Sequence, residues 1–356
     1  MPDPNPESEL MDLRRIGIHP DFWYPLAWSR ELKKGKSLGV TFAGNPIVLA
    51  RTQKGEVFAL ADRCSHRQVP LSLGVVCGET LKCCYHAWSY DKSGKCINIP
   101  YLEKGQSLPE GVRSYPSQEA YGLIFVFTGE PIKSEIVPFP DLPGQRDPEF
   151  KTRRLSRRIR CHYSFLHENL MDMNHQYLHR SLMGGIKPTL LQTNFGEHWY
   201  EAVYTFNRVS GRQSLGEKFM LGQSASAPAD SAHDLMRVCT RYPYQTLTFS
   251  RANSEKPVLD LWLCYVPMDA EQKVNHSFGL MMIRKPSLPG LIHLFWPFII
   301  GFTEGIFAQD RMIVEKEQAA HDQQGKDQNF EIFSVIRGLR HLLRTQGLPL
   351  KNVLEL

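Results

Sequence analysis

The chain has 356 residues, 42% of them hydrophobic, and a formal net charge of +5. That length exceeds one average domain and can fill two cores, while so modest a charge, with no nucleic-acid motif beside it, argues against a nucleic-acid partner. Of eight cysteines six (Cys77, Cys84, Cys96, Cys161, Cys239 and Cys264) show no framework spacing, and in a chain too large to need disulfide staples this points to a reducing cytoplasm.

Residues 1–10 are rich in Pro, Asp and Glu and lack a basic n-region and an apolar h-region. They are expected to form a disordered stretch, not a signal peptide, within an N-terminal arm spanning 1–19. Residues 17–28 hold Pro20, Phe22, Trp23, Tyr24 and Pro25, a buried entry segment. From Ser37 the pattern changes to short strands at 40–42, 47–50 and 57–61. Gly44-Asn45-Pro46 and Lys54-Gly55 are the turn signals between them. A further strand at 123–127 closes the ladder, so 20–130 reads as an all-β module.

Within that module, Cys64-Ser65-His66 is followed, after sixteen residues, by Cys83-Cys84-Tyr85-His86. A Rieske [2Fe–2S] centre needs two thiolates on one iron and two imidazoles on the other. Two loops that each supply one of each meet that need. A structural zinc site also accepts two cysteines and two histidines, but its usual spacing pairs like with like. The residues alone leave Cys84-x-His86 open beside Cys83-x-x-His86. The stretch resembles the Rieske non-haem iron oxygenases, whose Cys-x-x-His spacing selects Cys83. Val69 and Tyr85 stand where respiratory Rieske proteins carry a disulfide. Tyr85-His86-Ala87-Trp88 is close to the Y-H-G-W of the oxygenases, and Asp91, Gly94 and Pro100 follow as in their pattern. The resemblance implies a ferredoxin or flavin reductase as electron donor.

Pro131, Pro138, Pro140, Pro143 and Pro148 mark 131–150 as an interdomain linker, because proline neither continues a helix nor donates to a central ladder. Lys151, Arg153, Arg154, Arg157, Arg158 and Arg160 then form a basic cluster, read as a solvated face or as a docking patch for an acidic electron carrier. Residues 162–183 are predicted helical. Strands are predicted at 198–207, 236–250, 257–267 and 275–284, with the Gly/Ser/Ala-rich loop 209–234 as a possible site cover. Helices are predicted at 290–320 and 331–346. This order gives an α+β domain over 151–356, its sheet wrapping a long helix. The resemblance makes that a helix-grip domain.

Residues 169–179 read N-L-M-D-M-N-H-Q-Y-L-H. On an α-helix Asp172, His175 and His179 would share one face, with Asn169 near it. Two imidazoles plus one carboxylate form the facial triad of non-haem iron(II) oxygenases. The resemblance matches position by position. It implies that His175 and His179 are iron ligands. It makes Asp172 a carboxylate that bonds His175 and reaches His86 of a neighbouring subunit in a head-to-tail homotrimer, and leaves Asn169 near the site. It places the third ligand at Asp310, in Gln309-Asp310-Arg311-Met312-Ile313-Val314-Glu315-Lys316-Glu317-Gln318, with Gln309 in place of a glutamate. Glu304, Glu315 and Glu317 are its rivals. His162 and His167 count as ordinary histidines, and Met171, Met173 and Met183 are read as pocket wall or core in place of ligands.

The apolar run 291–308 contains His293, Pro297 and Glu304 and falls short of a clean membrane span. It is expected to be a buried helix at a substrate pocket or subunit interface, with membrane-surface contact as the lesser reading. The resemblance implies an enzyme that uses O2 and a mononuclear Fe(II) to hydroxylate, demethylate or desaturate its substrate; the apolar run and the methionines point to a bulky, hydrophobic one, a polycyclic or secondary-metabolite scaffold. An aromatic acid or methyl ether is the second choice. From other classes, a Rieske electron carrier without oxygenase activity and a structural zinc module stay open at this point.

Overall fold

Short apolar strands separated by tight turns build the first of two units. The computed structural model describes residues 12–210, 213–221, 234–252, 254 and 256–350; the expected disordered stretch at 1–10 lies outside them. Strands Lys36–Phe42, Asn45–Arg51, Val57–Ala61 and Ser114–Tyr115 form one antiparallel sheet. Trp23–Trp28, Leu123–Phe127 and Ser117–Ala120 form a second. Every residue of Trp23–Trp28 and Leu123–Phe127 is buried, as expected for strands covered on both faces. A third sheet of Val75–Cys77, Thr80–Lys82, Ser89–Tyr90 and Cys96–Asn98 carries the loop 83–88 at one of its turns. The core of Val48, Phe58, Leu60, Leu71, Leu81 and Tyr90 takes in Cys64 and Cys83, so both cysteines are packed into it.

The second unit is a seven-stranded sheet with helices packed on it. Its strands are β1 (Phe150–Ile159), β2 (Gly185–Gly196), β3 (Trp199–Ser210), β4 (Leu235–Arg241), β5 (Tyr244–Ser250), β6 (Leu259–Pro267) and β7 (Asn275–Arg284), in the spatial order β1-β7-β6-β5-β4-β3-β2. The helices are α1 (Tyr163–Met171), α2 (Arg180–Met183), α3 (Leu215–Leu221), α4 (Leu291–Gln324) and α5 (Ser334–Gln346). Strand β1 lies antiparallel to β7 from Phe150↔Arg284 to Ile159↔Asn275. The predicted run 236–250 is the hairpin β4–β5, turned at Tyr242-Pro243. Strand β2 escapes sequence reading because Pro188 interrupts it; it is an edge strand, where proline costs no shared ladder bond. The predicted cover loop 209–234 lies largely outside the described residues, apart from the stretch that forms α3.

Three expectations change. The first concerns the division of the chain. Its units are 19–141 with 266–272, and 12–18 with 142–265 and 273–350, in place of an arm at 1–19, 20–130, a linker at 131–150 and 151–356. Residues 12–18 are held because Leu13, Ile16 and Ile18 are buried, Ile16–Gly17 pairs with Leu348–Pro349, and Arg14 reaches Glu168 at 2.8 Å. The stretch 266–272 joins the first unit through the Ala43 and Gly44 amides, which donate to Pro267 O and Met268 O at 2.8 and 3.0 Å.

The second concerns the predicted helix 162–183, which is broken. α1 stops at Asp172, whose ψ of 92° is extended, and Met173–Tyr177 continues as a 3-10 turn before α2. Aspartate caps helices better than it continues them: the Asp172 carboxylate accepts the Asn174 N–H at 2.9 Å. The third concerns the run 291–308, which is not buried within the chain itself. Along 291–308 only Ile292, Ile299, Phe302 and Thr303 are buried.

Candidate metal centres

In the first unit, the loop after Val57–Ala61 brings Cys64 beside Cys83. The amide of Cys64 donates to Val69 O and that of Cys83 to Trp88 O, both at 2.8 Å, so each cysteine opens a closed turn. Both are buried, whereas Cys84 is exposed, which separates the two registers the sequence left open. Burial pushes the Cys83 thiol up, while the Tyr85 and His86 amides aimed at its sulfur work the other way and the nearby Cys64 adds to the rise. Two buried sulfurs with amide donors trained on them suit thiolates held to a cluster. The Tyr90 hydroxyl lies 3.1 Å from Cys64 Sγ and takes the Ser65 N–H at 3.1 Å. Burial and the Cys64 sulfur raise its pKa, so it is a neutral phenol.

The imidazoles of His66 and His86 stand at the outer end, ring centroids 4.6 Å apart. Trp88 stacks on His66 at 4.6 Å and 5°. Both histidines open into a concavity of about 690 Å³ lined by Ile99, Tyr101 and Leu102. Ala87, between His86 and Trp88 in the chain, has φ +58°. That left-handed region is where the oxygenase pattern has glycine and where a Cβ costs energy. Ala87→Gly is expected to stabilise the loop by about 1 kcal/mol, read as a higher temperature for thermal bleaching of the holoprotein.

In the second unit, the break at Asp172 decides the geometry. The 3-10 turn presents His175, and His179 follows in the bridge region at φ −88°, ψ 5°, a conformation frequent among functional residues. His179 Nε2 lies 3.2 Å and His175 Nε2 3.7 Å from Asp310 Oδ1. One ligand atom from each of the three lies within 4.8 Å of the others. The far ring nitrogens are anchored. His175 Nδ1 donates to the Asp172 carbonyl, and His179 Nδ1 donates to Gln309 Oε1 at 2.8 Å. A carbonyl only accepts, so each Nδ1 carries the proton and each Nε2 offers a lone pair. His179 Nε2 and Asp310 Oδ1 are buried without a hydrogen-bond partner, which is costly unless a cation sits between them. Burial alone would lower the His179 pKa; the Asp310 carboxylate and Gln309 outweigh it and raise it. The donor set and its orphaned atoms therefore fit a divalent iron.

Two of the rival carboxylates are engaged elsewhere and the third stands apart. Glu304 pairs with Arg153 and Arg157. Glu315 takes the Arg160 N–H and Arg311 Nε, each at 3.0 Å. Glu317 stands about two turns beyond Asp310 on α4. His162 caps α1 through Ser164, and His167 lies near Thr240. Burial lowers both pKa values to about 3, so they are neutral packing residues. Asn169 is half-buried on α1. The Asp172 carboxylate caps Asn174 and does not bond the His175 ring, which meets the Asp172 main chain because the helix breaks there. The residue that sequence reasoning undervalued is Gln309. It was visible only as a departure from the expected glutamate.

The Rieske [2Fe-2S] domain family matches residues 22–116, and the vanillate O-demethylase oxygenase C-terminal domain family matches 159–334. The 4beta-methylsterol monooxygenase of Methylococcus capsulatus is 34% identical over 353 residues, covering 93% of this chain and 89% of that protein. The oxygenase component of dicamba O-demethylase from Stenotrophomonas maltophilia is 36% identical over 160 residues, 45% of this chain and 47% of that one. The structure of dicamba monooxygenase bound to dicamba superposes with a TM-score of 0.70 at 22% identity, covering 94% of this chain and 97% of the other. An all-β cluster domain followed by a helix-and-sheet domain of this fold defines a terminal oxygenase. The chain belongs to the Rieske non-haem iron oxygenases, as an oxygenase component. The family uses a Rieske [2Fe–2S] cluster and a mononuclear iron, which sets aside the zinc-module and simple-carrier readings.

Proposed function

We propose that this enzyme hydroxylates a methyl-bearing, polycyclic and largely apolar substrate of the sterol type, drawing electrons from a separate ferredoxin or flavin reductase in the cytoplasm. The nearly full-length match to a 4beta-methylsterol monooxygenase carries this reading; the dicamba O-demethylase alignment spans about half of each chain. In a monooxygenation one oxygen atom enters the C–H bond, and the other leaves as water with the donor's electrons and solvent protons.

In this reading Cys64 and Cys83 hold one iron of the cluster, His66 and His86 the other, and His175, His179 and Asp310 the mononuclear iron. The bound metals supply electron transfer and oxygen activation. The chain's own residues hold the imidazoles in one tautomer and keep the site shielded from water. Gln309 is a positioning residue for His179. Gln309→Leu is expected to weaken mononuclear iron binding about 10- to 100-fold, measured by metal release to a chelator, whereas Gln309→Glu keeps an acceptor and should restore it.

We further infer a cyclic trimer in which Asp172 meets His86 of another copy. In support, Asp172 borders a concavity of about 190 Å³ with Phe333 on its rim, and Phe330 and Ile332 nearby in the chain are 92% and 61% exposed.

The test is turnover with a reductase system, NADH and ¹⁸O2, offering a 4-methylsterol, its 4-desmethyl analogue and an aryl methyl ether. A labelled hydroxymethyl product from the first alone supports the proposal. Formaldehyde from the ether with no sterol product would transfer the assignment to O-demethylation.

A further inference from the structure

From Pro286 to Thr303 the chain has no Asp, Glu, Lys or Arg. These residues form the approach to α4 and its first turns, and while Ile292, Ile299 and Phe302 are buried, other apolar side chains face outward. Leu288, Leu294 and Phe298 are 64%, 68% and 55% exposed. Helix α3 lies alongside: Phe219 stacks on Phe295 with ring centroids 3.4 Å apart, and Leu215 is 61% exposed. Gly216 permits the close approach, since a Cβ there would stand 2.4 Å from the Phe302 Cβ. The result is an apolar patch built from two helices, larger than scattered surface residues require.

The charge around it has one sign. Lys151 lies 4.2 Å above the Trp296 ring and 2.8 Å from His293 Nδ1. Lys285 and Lys218 are further cations beside the patch, exposed to solvent. The carboxylates of the neighbouring elements are neutralised: Glu304 by Arg153 and Arg157, Glu217 by Arg208, and Glu149 by Lys256. The helix is long and apolar enough to cross a bilayer by length and composition. Yet Ile299, Phe302, Thr303 and Val314 pack inward, and the Arg153–Glu304 pair anchors its middle to β1. Only its outer face is available, which suits a helix lying in an interface.

We propose that this patch docks the enzyme on an anionic membrane surface, with Leu288, Leu294, Phe298 and Leu215 entering the headgroup region and Lys151, Lys218 and Lys285 meeting lipid phosphates. A second copy is the weaker occupant, because a two-fold pairing of this face would set lysines against lysines. The docking adds to the substrate reading and stands without it.

The test is flotation of the iron-loaded enzyme with phosphatidylcholine vesicles, with and without phosphatidylglycerol, at low and high salt. The wild type is expected to float with the anionic vesicles, and less with neutral vesicles or at high salt. Leu294→Ser with Phe298→Ser should cut binding at least about tenfold while iron content and the Rieske spectrum stay unchanged. Lys151→Glu with Lys285→Glu should abolish the preference for anionic lipid. A wild type that does not float, or a serine variant that floats equally, overturns the proposal. So does a serine variant that changes only the mass by light scattering, which would assign the patch to a second copy.

Discussion

His175→Ala is expected to yield a protein that keeps both cluster irons and the Rieske EPR signal, lacks the mononuclear iron, and shows no oxygenation above background. The reason is geometric. The His175 ring has its Nδ1 committed to the Asp172 carbonyl and its Nε2 turned toward Asp310. Removing it leaves His179 and Asp310 as a two-point site, and divalent iron held by two donors exchanges readily. Asp310→Asn should behave alike, because the neutral amide no longer offsets the metal's charge. Cys64→Ser gives the opposite pattern: it removes a thiolate buried in the core of the first unit and should bleach the cluster. Iron and sulfide content with EPR of the reduced protein reads all three. If His175→Ala retained its full iron complement, the assignment of the facial triad would be wrong.

Glu168→Gln is expected to destabilise the second unit by roughly 3–5 kcal/mol, the cost of breaking a buried ion pair from one side. Glu168 Oε1 is 2.8 Å from Arg14 and Oε2 2.9 Å from Arg340; its side chain is 13% exposed and the guanidiniums 2% and 8%. Arg14 also lies over the Phe165 ring at 3.5 Å. The carboxylate thus ties the segment 12–18, α1 and α5 together. Burial alone would raise its pKa, but the two guanidiniums outweigh that and hold it at about 2, below the usual 4.5. A depressed folded-state pKa contributes stability that is complete above 4.5 and is lost as pH falls toward 2. Thermal denaturation between pH 7 and pH 3 should therefore show wild type and Glu168→Gln converging in acid. Parallel curves would mean that Glu168 carries no such linkage.

Much of the candidate site was legible because ligand spacing is a local property. Cys64-x-His66 and Cys83-x-x-His86 each fit within one loop, and His175 and His179 within one turn and its exit. Asp310 was reachable only through the resemblance, since more than a hundred residues separate it from His179 and nothing local marks it off from Glu304 or Glu315. The shared helix face was a sound inference from spacing that Asp172 overturned: its carboxylate captures the Asn174 amide, and the imidazoles converge through a 3-10 turn. Gln309 looked like a mere substitution until its amide oxygen was found on His179 Nδ1.

By itself the sequence determined the two candidate metal-binding motifs, the order of an all-β module before an α+β domain, and most strand positions. Turn residues, alternation and ligand spacing are written over a few neighbouring positions. Tertiary structure alone decided that residues 12–18 belong to the second unit, and it buries Cys83, the cysteine the resemblance favoured, while leaving Cys84 exposed. It also decided that Glu304 answers two arginines of β1 and that the run 291–308 turns its apolar face outward. Each of these depends on which distant side chains come to lie opposite. Burial, ion pairing and exposure arise between elements, and no periodicity within one element encodes its partner.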